Sequence, residues 1–434
     1  MRYLSTRDTA HSAGLSAAIA RGLAPDGGLY VPEALPRIDP AALGDPVDLP
    51  ALAERLLRPF VAGDAMAERL GEITHDAFDF PAPVVDVPGA GGPLSVLELF
   101  HGPTAAFKDF GARFLAATLE RGPRADPRRL TILVATSGDT GGAVAAAFHG
   151  RPWVDVVVLY PRGLVSARQQ KQLACWGGNV STLSVAGTFD DCQRMVKEAF
   201  LDTSLAATLQ LSSANSINVG RLLPQMVYYA KASLELWRAD GRAPGFIIPT
   251  GNLGNALACV WAREAGLPIG DIVLASNANL TVPEFLQSGE WRPRPSLATL
   301  ASAMDVGNPS NMERLRWLFP DLERLRSKLT AQPVTDEEIR DTIRRDHREL
   351  GFTWCPHTAT AACVYRRLGA GPRTGRWVLV ATAHPAKFDE IVEPLVGAAV
   401  PVPDALAALL ALPSLQVEIG PGLEALRQAL AGRG

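Results

Sequence analysis

The feature that most constrains the fold is an alternation: from residue 94 onward, short apolar runs of strand length are each followed by a helical pattern. Leu94 to Phe100, Leu130 to Ala135, Val154 to Tyr160 and Ser181 to Val185 read as strands. Phe246 to Ile248, Ile272 to Ser276 and Trp377 to Thr382 continue the series. Between them, Phe107 to Leu119, Gly142 to Phe148, Leu164 to Trp176, Phe189 to Phe200, Ala256 to Ala265 and Thr358 to Leu368 carry helical spacing. Runs that are apolar throughout, rather than alternating, need cover on both faces, which crossover helices supply. The pattern predicts an α/β protein with parallel sheets. At 434 residues the chain is long enough for two such domains, each with its own core.

The flanking regions differ. Residues 1–90 mix short amphipathic helical pieces with proline-rich turns, and Gly22 to Pro32 is a turn cluster leading into a strand-like pair. The Pro- and Gly-rich run from Val84 to Pro93 makes a boundary. Arg314 to Leu350 is charged and helical in pattern, as a solvated surface layer would be, and the alanine-rich tail from Pro403 suits one or two surface helices. The expected division is an N-terminal extension over 1–90, a larger domain from 91–130 and 240–434, and a smaller one over 131–239.

Charge removes several function classes. Forty-two basic residues against 45 acidic ones leave no general attraction for nucleic acid or an anionic membrane. No apolar run has signal-peptide length at the start or membrane-spanning length elsewhere, so the expected location is cytoplasmic. The five cysteines show no C-x-x-C pair and no zinc spacing, and they are expected to be structural, with no metal site.

Two glycine loops each leave a strand and open a helix: Thr136-Ser137-Gly138-Asp139-Thr140-Gly141-Gly142 and Thr250-Gly251-Asn252-Leu253-Gly254-Asn255. Such a loop aims unpaired N–H groups, backed by the helix dipole, at one spot, which suits an anion. Neither fits a Walker or a G-x-G-x-x-G sequence, and either could be an ordinary turn. The basic residues include only six lysines (108, 171, 197, 231, 328 and 387). Lys108 alone combines aromatic flanks, Phe107 and Phe110, with a preceding Gly102-Pro103 turn. A partly dry setting lowers an amine's pKa and suits it to Schiff-base or general-base chemistry. Lys387, in Ala383-His384-Pro385-Ala386-Lys387-Phe388, is its one rival.

These residues carry a resemblance. His101-Gly102-Pro103-Thr104 through Phe107-Lys108-Asp109-Phe110 is similar to the cofactor-lysine segment of threonine synthases. The similarity continues in Ser137 to Gly141, Tyr160-Pro161-Arg162-Gly163, Ser213 to Asn218, Met304-Asp305-Val306, His357-Thr358-Ala359 and Thr382 to Phe388. Ser5-Thr6-Arg7 and Gly22 to Pro32 resemble that family's amino terminus, so nearly the whole chain is covered, and the longer bacterial and fungal branch fits best.

The resemblance implies the fold type II architecture of pyridoxal 5'-phosphate enzymes, the tryptophan synthase β-like fold, with the cofactor between two parallel-sheet domains. It implies conversion of O-phospho-L-homoserine and water to L-threonine and phosphate by a monomer or small homo-oligomer. Lys108 would join the cofactor and then shuttle protons. Gly251, Asn252, Leu253, Gly254 and Asn255 would hold the cofactor's phosphate, and Thr382 would face its pyridine nitrogen. Ser137, Gly138, Asp139 and Thr140 would grip the substrate's amino-acid end, and Asn218 and Arg221 its phosphate. Leu253, Thr250 and Ala381 depart mildly from the family's usual residues, which leaves open a specialised lyase acting on another amino acid, such as a dehydratase or sulfhydrylase. A phosphate-binding homologue without turnover is the reading from another class. His101, His357 and His384 are better explained by packing or structural hydrogen bonds than by proton transfer, and Asp109 by its place at a helix start.

Overall fold

In the computed structural model, which describes residues 1–123, 128–368 and 376–431, the strands assemble into two principal sheets. The larger runs in the order Thr330–Pro333, Ile272–Ser276, Gly245–Pro249, Trp377–Ala381, Leu94–Glu98, Val84–Asp86. The smaller runs Gln416–Ile419, Val180–Val185, Val154–Pro161, Leu130–Ala135, Gln210–Ser213. Every pairing in both is parallel except that of Val84–Asp86 with Leu94–Glu98. Val154–Pro161, Gly245–Pro249 and Trp377–Ala381 are buried at every residue, which a parallel strand covered on both faces requires.

Three flanking expectations need correction. The Val84 to Pro93 boundary opens with the antiparallel edge strand just named, before its Pro-Gly run turns the chain back. The segment from Arg314 is not uniformly solvated. It holds the helices Met312–Leu318, Leu322–Lys328 and Asp336–Leu350 and the edge strand Thr330–Pro333, and Arg314 itself is fully buried. A guanidinium is tolerated there because its nitrogens donate to Tyr30 O at 3.0 Å, Asn311 Oδ1 at 2.7 Å and Ile217 O at 2.5 Å. The tail from Pro403, expected as surface helices, places the strand Gln416–Ile419 between the helices Asp404–Ala411 and Leu423–Leu430. That strand covers the open edge of Val180–Val185, so the range 131–239 lacks one strand of the smaller sheet.

The N-terminal extension forms a three-stranded antiparallel sheet, Ser12–Ala13, Tyr3–Ser5 and Tyr30–Pro32, followed by two short helices, Leu49–Leu57 and Leu70–Ala77. Leu49, Leu52, Ala53, Leu56 and Leu57 make the apolar stripe of the first, which packs on the helix Gln225–Asp240. The second packs on Lys108–Arg121. The extension thereby joins the same hydrophobic core as the helices between the two sheets. Ligand sites in parallel sheets form beyond the carboxyl ends of the strands. Both sheets here send their glycine loops from those ends, toward one cleft.

Candidate active site

Lys108 opens the helix Lys108–Arg121, at the end of a turn laced to the strand end beside it. The Phe107 N–H donates to Thr382 O at 2.8 Å, the His384 N–H donates to Ala105 O at 3.0 Å, and Ala106 bridges Ala383. Ala105 sits at φ 53°, a left-handed conformation that turns the chain sharply into the helix. The Lys108 amine lies 4.3 Å from the centre of the Phe107 ring. Burial, and after it the nearby Arg221 guanidinium, push this amine down to about 8, against an opposing pull from Asp139. Asp109 is not exposed at the helix start: it accepts from Thr104 N at 2.9 Å and Thr104 Oγ1 at 2.7 Å, fixing the turn. Burial raises its carboxyl to about 6.

The Thr250 to Asn255 loop lines an inner cavity with Lys108 and Thr382. Gly251 is obligatory in this geometry, because a Cβ would lie 2.6 Å from Met304 Cα and 2.8 Å from Met304 O, and backbone cannot step aside. No side chain caps the helix Gly254–Glu264, which leaves its first N–H groups free for a ligand, and Gly254 and Asn255 line the cavity. Asn255 accepts from the Tyr228 and Tyr229 hydroxyls at 2.6 and 2.7 Å, while its Nδ2 is buried without a protein partner. Arg221 lines the same cavity: one nitrogen donates to Ala214 O at 2.5 Å, and its buried Nε finds no acceptor. Unsatisfied buried donors cost about 1–3 kcal/mol each unless a ligand meets them. A cationic group, an amide and an uncapped helix start around one cavity fit a phosphate.

The second loop lines an outer cleft of about 250 Å³ that also reaches Lys108. Gly138, at φ 134°, makes the turn, and the Thr136 hydroxyl accepts from the Gly138 and Gly141 N–H groups at 3.0 and 2.9 Å. Ser137 and Thr140 line the cleft. Asp139 faces inward instead, its carboxylate 2.8 Å from Lys387 Nζ. The structure does not bring Asn218 to either space. It is fully buried as the cap of the short helix Val219–Leu222, accepting from Gly220 N and donating to Ile19 O at 2.8 Å. Lys387, the rival lysine, is fully buried with its amine donating to Thr104 O at 2.7 Å, out of reach of a ligand.

His357 lines the inner cavity with Lys108, whereas His101 and His384 line neither space. His357 Nε2 accepts from the Ala303 N–H at 3.1 Å, which pins the segment that closes over Gly251, and burial drops its pKa to about 4. His384 Nδ1 accepts from Ala386 N, and His101 pairs with Glu98 at 2.7 Å on the exposed side. Sequence reasoning missed Gln225, Tyr228, Tyr229 and Asn311 as site residues. Gln225 and the two tyrosines sit on the helix Gln225–Asp240, whose near-uniform burial hides any amphipathic signal. Asn311 donates to Ser216 O and to Asn252 O, steadying the inner loop from behind.

Comparison with known proteins agrees with this geometry. Residues 2–78 match the family model described as threonine synthase N terminus, residues 78–383 that of pyridoxal-phosphate dependent enzymes, and residues 358–430 that of threonine synthase, C-terminal. A threonine synthase of Serratia marcescens is 41% identical over 435 residues, covering 100% of this chain and 99% of that one. The crystal structure of threonine synthase from Escherichia coli superposes with a TM-score of 0.90 at 39% identity, covering 100% of both chains. The pyridoxal-phosphate-bound threonine synthase from Brucella melitensis gives a TM-score of 0.91 at 34% identity, covering 100% of this chain and 99% of that one. With an inner cavity fitted to a phosphate beside a half-buried lysine, and with likeness along its whole length, the chain belongs to the threonine synthase family of pyridoxal-phosphate-dependent enzymes.

Proposed function

We propose that this protein converts O-phospho-L-homoserine and water to L-threonine and phosphate. The observation that carries the reading is the placement of Lys108 between an inner anion site and an outer glycine loop. Gly251 to Asn255 and the uncapped helix behind them would hold the cofactor phosphate, with Asn255 Nδ2 as an additional donor. The Thr382 hydroxyl would face the ring nitrogen without enforcing its protonation as a carboxylate would. When bound, the cofactor stores the electron pairs released at the substrate's Cα and Cβ. Lys108, with its amine depressed toward neutrality, takes the proton from Cα, then moves the Cβ proton, so that phosphate can leave from Cγ. A proton delivered to Cγ would then make the methyl group, water would add at Cβ, and the last proton would return to Cα.

Ser137, Gly138 and Thr140 would hold the substrate carboxylate at the outer loop, where the Asp139 and Thr140 N–H groups open a helix that no side chain caps. Arg221 lies with the inner loop, so its charge serves the cofactor phosphate in this reading, not the leaving phosphate that the sequence suggested. The five free, buried cysteines support a reducing, cytoplasmic setting. Action as a monomer or small homo-oligomer, as the resemblance implies, belongs to the same reading.

The test is incubation of the purified, cofactor-loaded protein with O-phospho-L-homoserine. Phosphate and threonine should form in equal amounts, and borohydride reduction followed by peptide mapping should fix the cofactor on Lys108. Turnover of serine or an O-acetylserine-like donor with no threonine formed would overturn the substrate assignment. A label on Lys387 would overturn the site.

A further inference from the structure

One buried ion pair is not used by the chemistry above. Lys387 Nζ lies 2.8 Å from Asp139 Oδ1, with Lys387 fully buried and Asp139 6% exposed. The two come from different sheets. Asp139 opens the helix that follows Leu130–Ala135, whereas Lys387 sits in the turn after Trp377–Ala381. Their remaining contacts lead to the turn that carries Lys108. Lys387 donates to Thr104 O at 2.7 Å, Gln172 donates to the same oxygen at 3.0 Å, and Thr104 is held by Asp109, the residue after Lys108. Gln169 Nε2 completes the Asp139 carboxylate at 3.2 Å.

Stability alone does not account for such a pair. Removing two charges from water costs about as much as their attraction returns, and well-packed apolar residues often serve as well or better. Burial pushes the Asp139 carboxyl up, yet the Lys387 charge and the hydrogen bonds from Lys387 and Gln169 outweigh it and hold the net direction down, so the carboxyl stays ionised. Both charges also act on the Lys108 amine, in opposite senses: Asp139 favours its protonated form and Lys387 its neutral form.

We propose that the Lys387–Asp139 pair is a positioning device for Lys108, holding two opposed charges in fixed balance beside the base and mooring the Ser137 to Thr140 loop to the base's own turn. The inference rests on Lys108 being the cofactor lysine and base, which the borohydride mapping tests separately. The other groups facing Lys108 are the Arg221 cation and His357, kept neutral by burial, while Asp109 is turned toward Thr104. Asp109 feels the Lys387 charge and His357 feels both charges of the pair, so the single variants act on Lys108 partly through them, whereas the double variant removes both influences.

The signature is directional. Lys387→Met leaves Asp139 uncompensated, so the Lys108 nitrogen should hold its proton to higher pH. Asp139→Asn leaves Lys387 uncompensated and should do the reverse. The double variant removes both charges and should return near the parent. A nearby charge of this kind moves a pKa by about 1 unit or more. The measurement is a pH titration of the cofactor-loaded proteins, following the visible absorption band that reports protonation at the Lys108 nitrogen, alongside the acid limb of kcat/KM. We expect midpoints displaced by about one pH unit upward for Lys387→Met, downward for Asp139→Asn, and restored in the double variant. Should Lys387→Met fail to fold, Asp139→Asn and the double variant decide the matter by displacement and restoration. A merely structural pair would move both single variants the same way, or neither, and would leave the double variant no better than the singles. Any of those results overturns the proposal.

Discussion

Arg221 and Asn218 stand three positions apart in a short helical turn, yet the fold gives them opposite fates. Asn218 spends its amide on Ile19 O, Ser213 O and Gly220 N, as a helix cap does. Arg221 lines the inner cavity and retains a buried Nε without an acceptor. Arg221→Ala should therefore weaken cofactor binding by about 1.5–3 kcal/mol, the worth of a charge-assisted hydrogen bond, measured by equilibrium titration of the cofactor-free protein. Were Arg221 instead a ligand of the leaving phosphate, cofactor affinity would hold and only kcat/KM would fall. Asn218→Ala should leave cofactor affinity and the chemical step alone and cost about 1 kcal/mol of stability in denaturant unfolding. At this scale the sequence was informative about Lys108, where aromatic flanks and a Gly-Pro turn mark a dry amine. It was uninformative about Asn218, because a capping amide and a ligand-binding amide look alike until their partners are known.

The element that defines the inner site is the helix Gly254–Glu264, which starts without a side-chain cap and whose second residue offers a buried, unpaired amide. Asn255→Asp separates binding from folding here. The new carboxylate keeps both tyrosine hydroxyls as partners and sits in the first turn, where the dipole favours a negative charge by about 0.3–1 kcal/mol. It would also confront any phosphate held by that turn. The expected outcome is unchanged or slightly higher thermal stability of the cofactor-free protein with at least about a tenfold loss of cofactor affinity, since a donor worth more than about 1.4 kcal/mol is replaced by repulsion. Equal affinity in the variant would place the phosphate elsewhere. Most elements of the two sheets were legible because their apolar runs are uninterrupted. The helix Gln225–Asp240 was not, since it is buried on almost every side and shows no stripe. The strand Gln416–Ile419 was equally obscure, being a partly exposed edge strand of alternating Gln, Val, Glu and Ile between alanine-rich helices.

At the scale of the molecule, each sheet is completed by chain that lies far from it in sequence. The last helix, Leu423–Leu430, sets Leu426 and Leu430 into the core on the outer face of the smaller sheet, beside Leu183, Val185 and Met195. Leu426→Ala opens a cavity at a fully buried position, at a cost of about 2–5 kcal/mol. The expected result is a fall in melting temperature of several degrees, with an unchanged cofactor spectrum at 25 °C. A neutral substitution would mean that the tail is dispensable to that core. The larger sheet carries this long-range dependence further, for Trp377–Ala381 is the strand inserted between Leu94–Glu98 and Gly245–Pro249. A ribosome adding about 5–20 residues per second needs roughly 15–60 s to travel from Leu94–Glu98 to the inserted strand Trp377–Ala381. Throughout that interval the Lys108 turn lacks the Thr382 and His384 backbone partners that hold its shape. The growing chain thus cannot capture its cofactor as it emerges, and loading becomes one of the last events in the making of the protein.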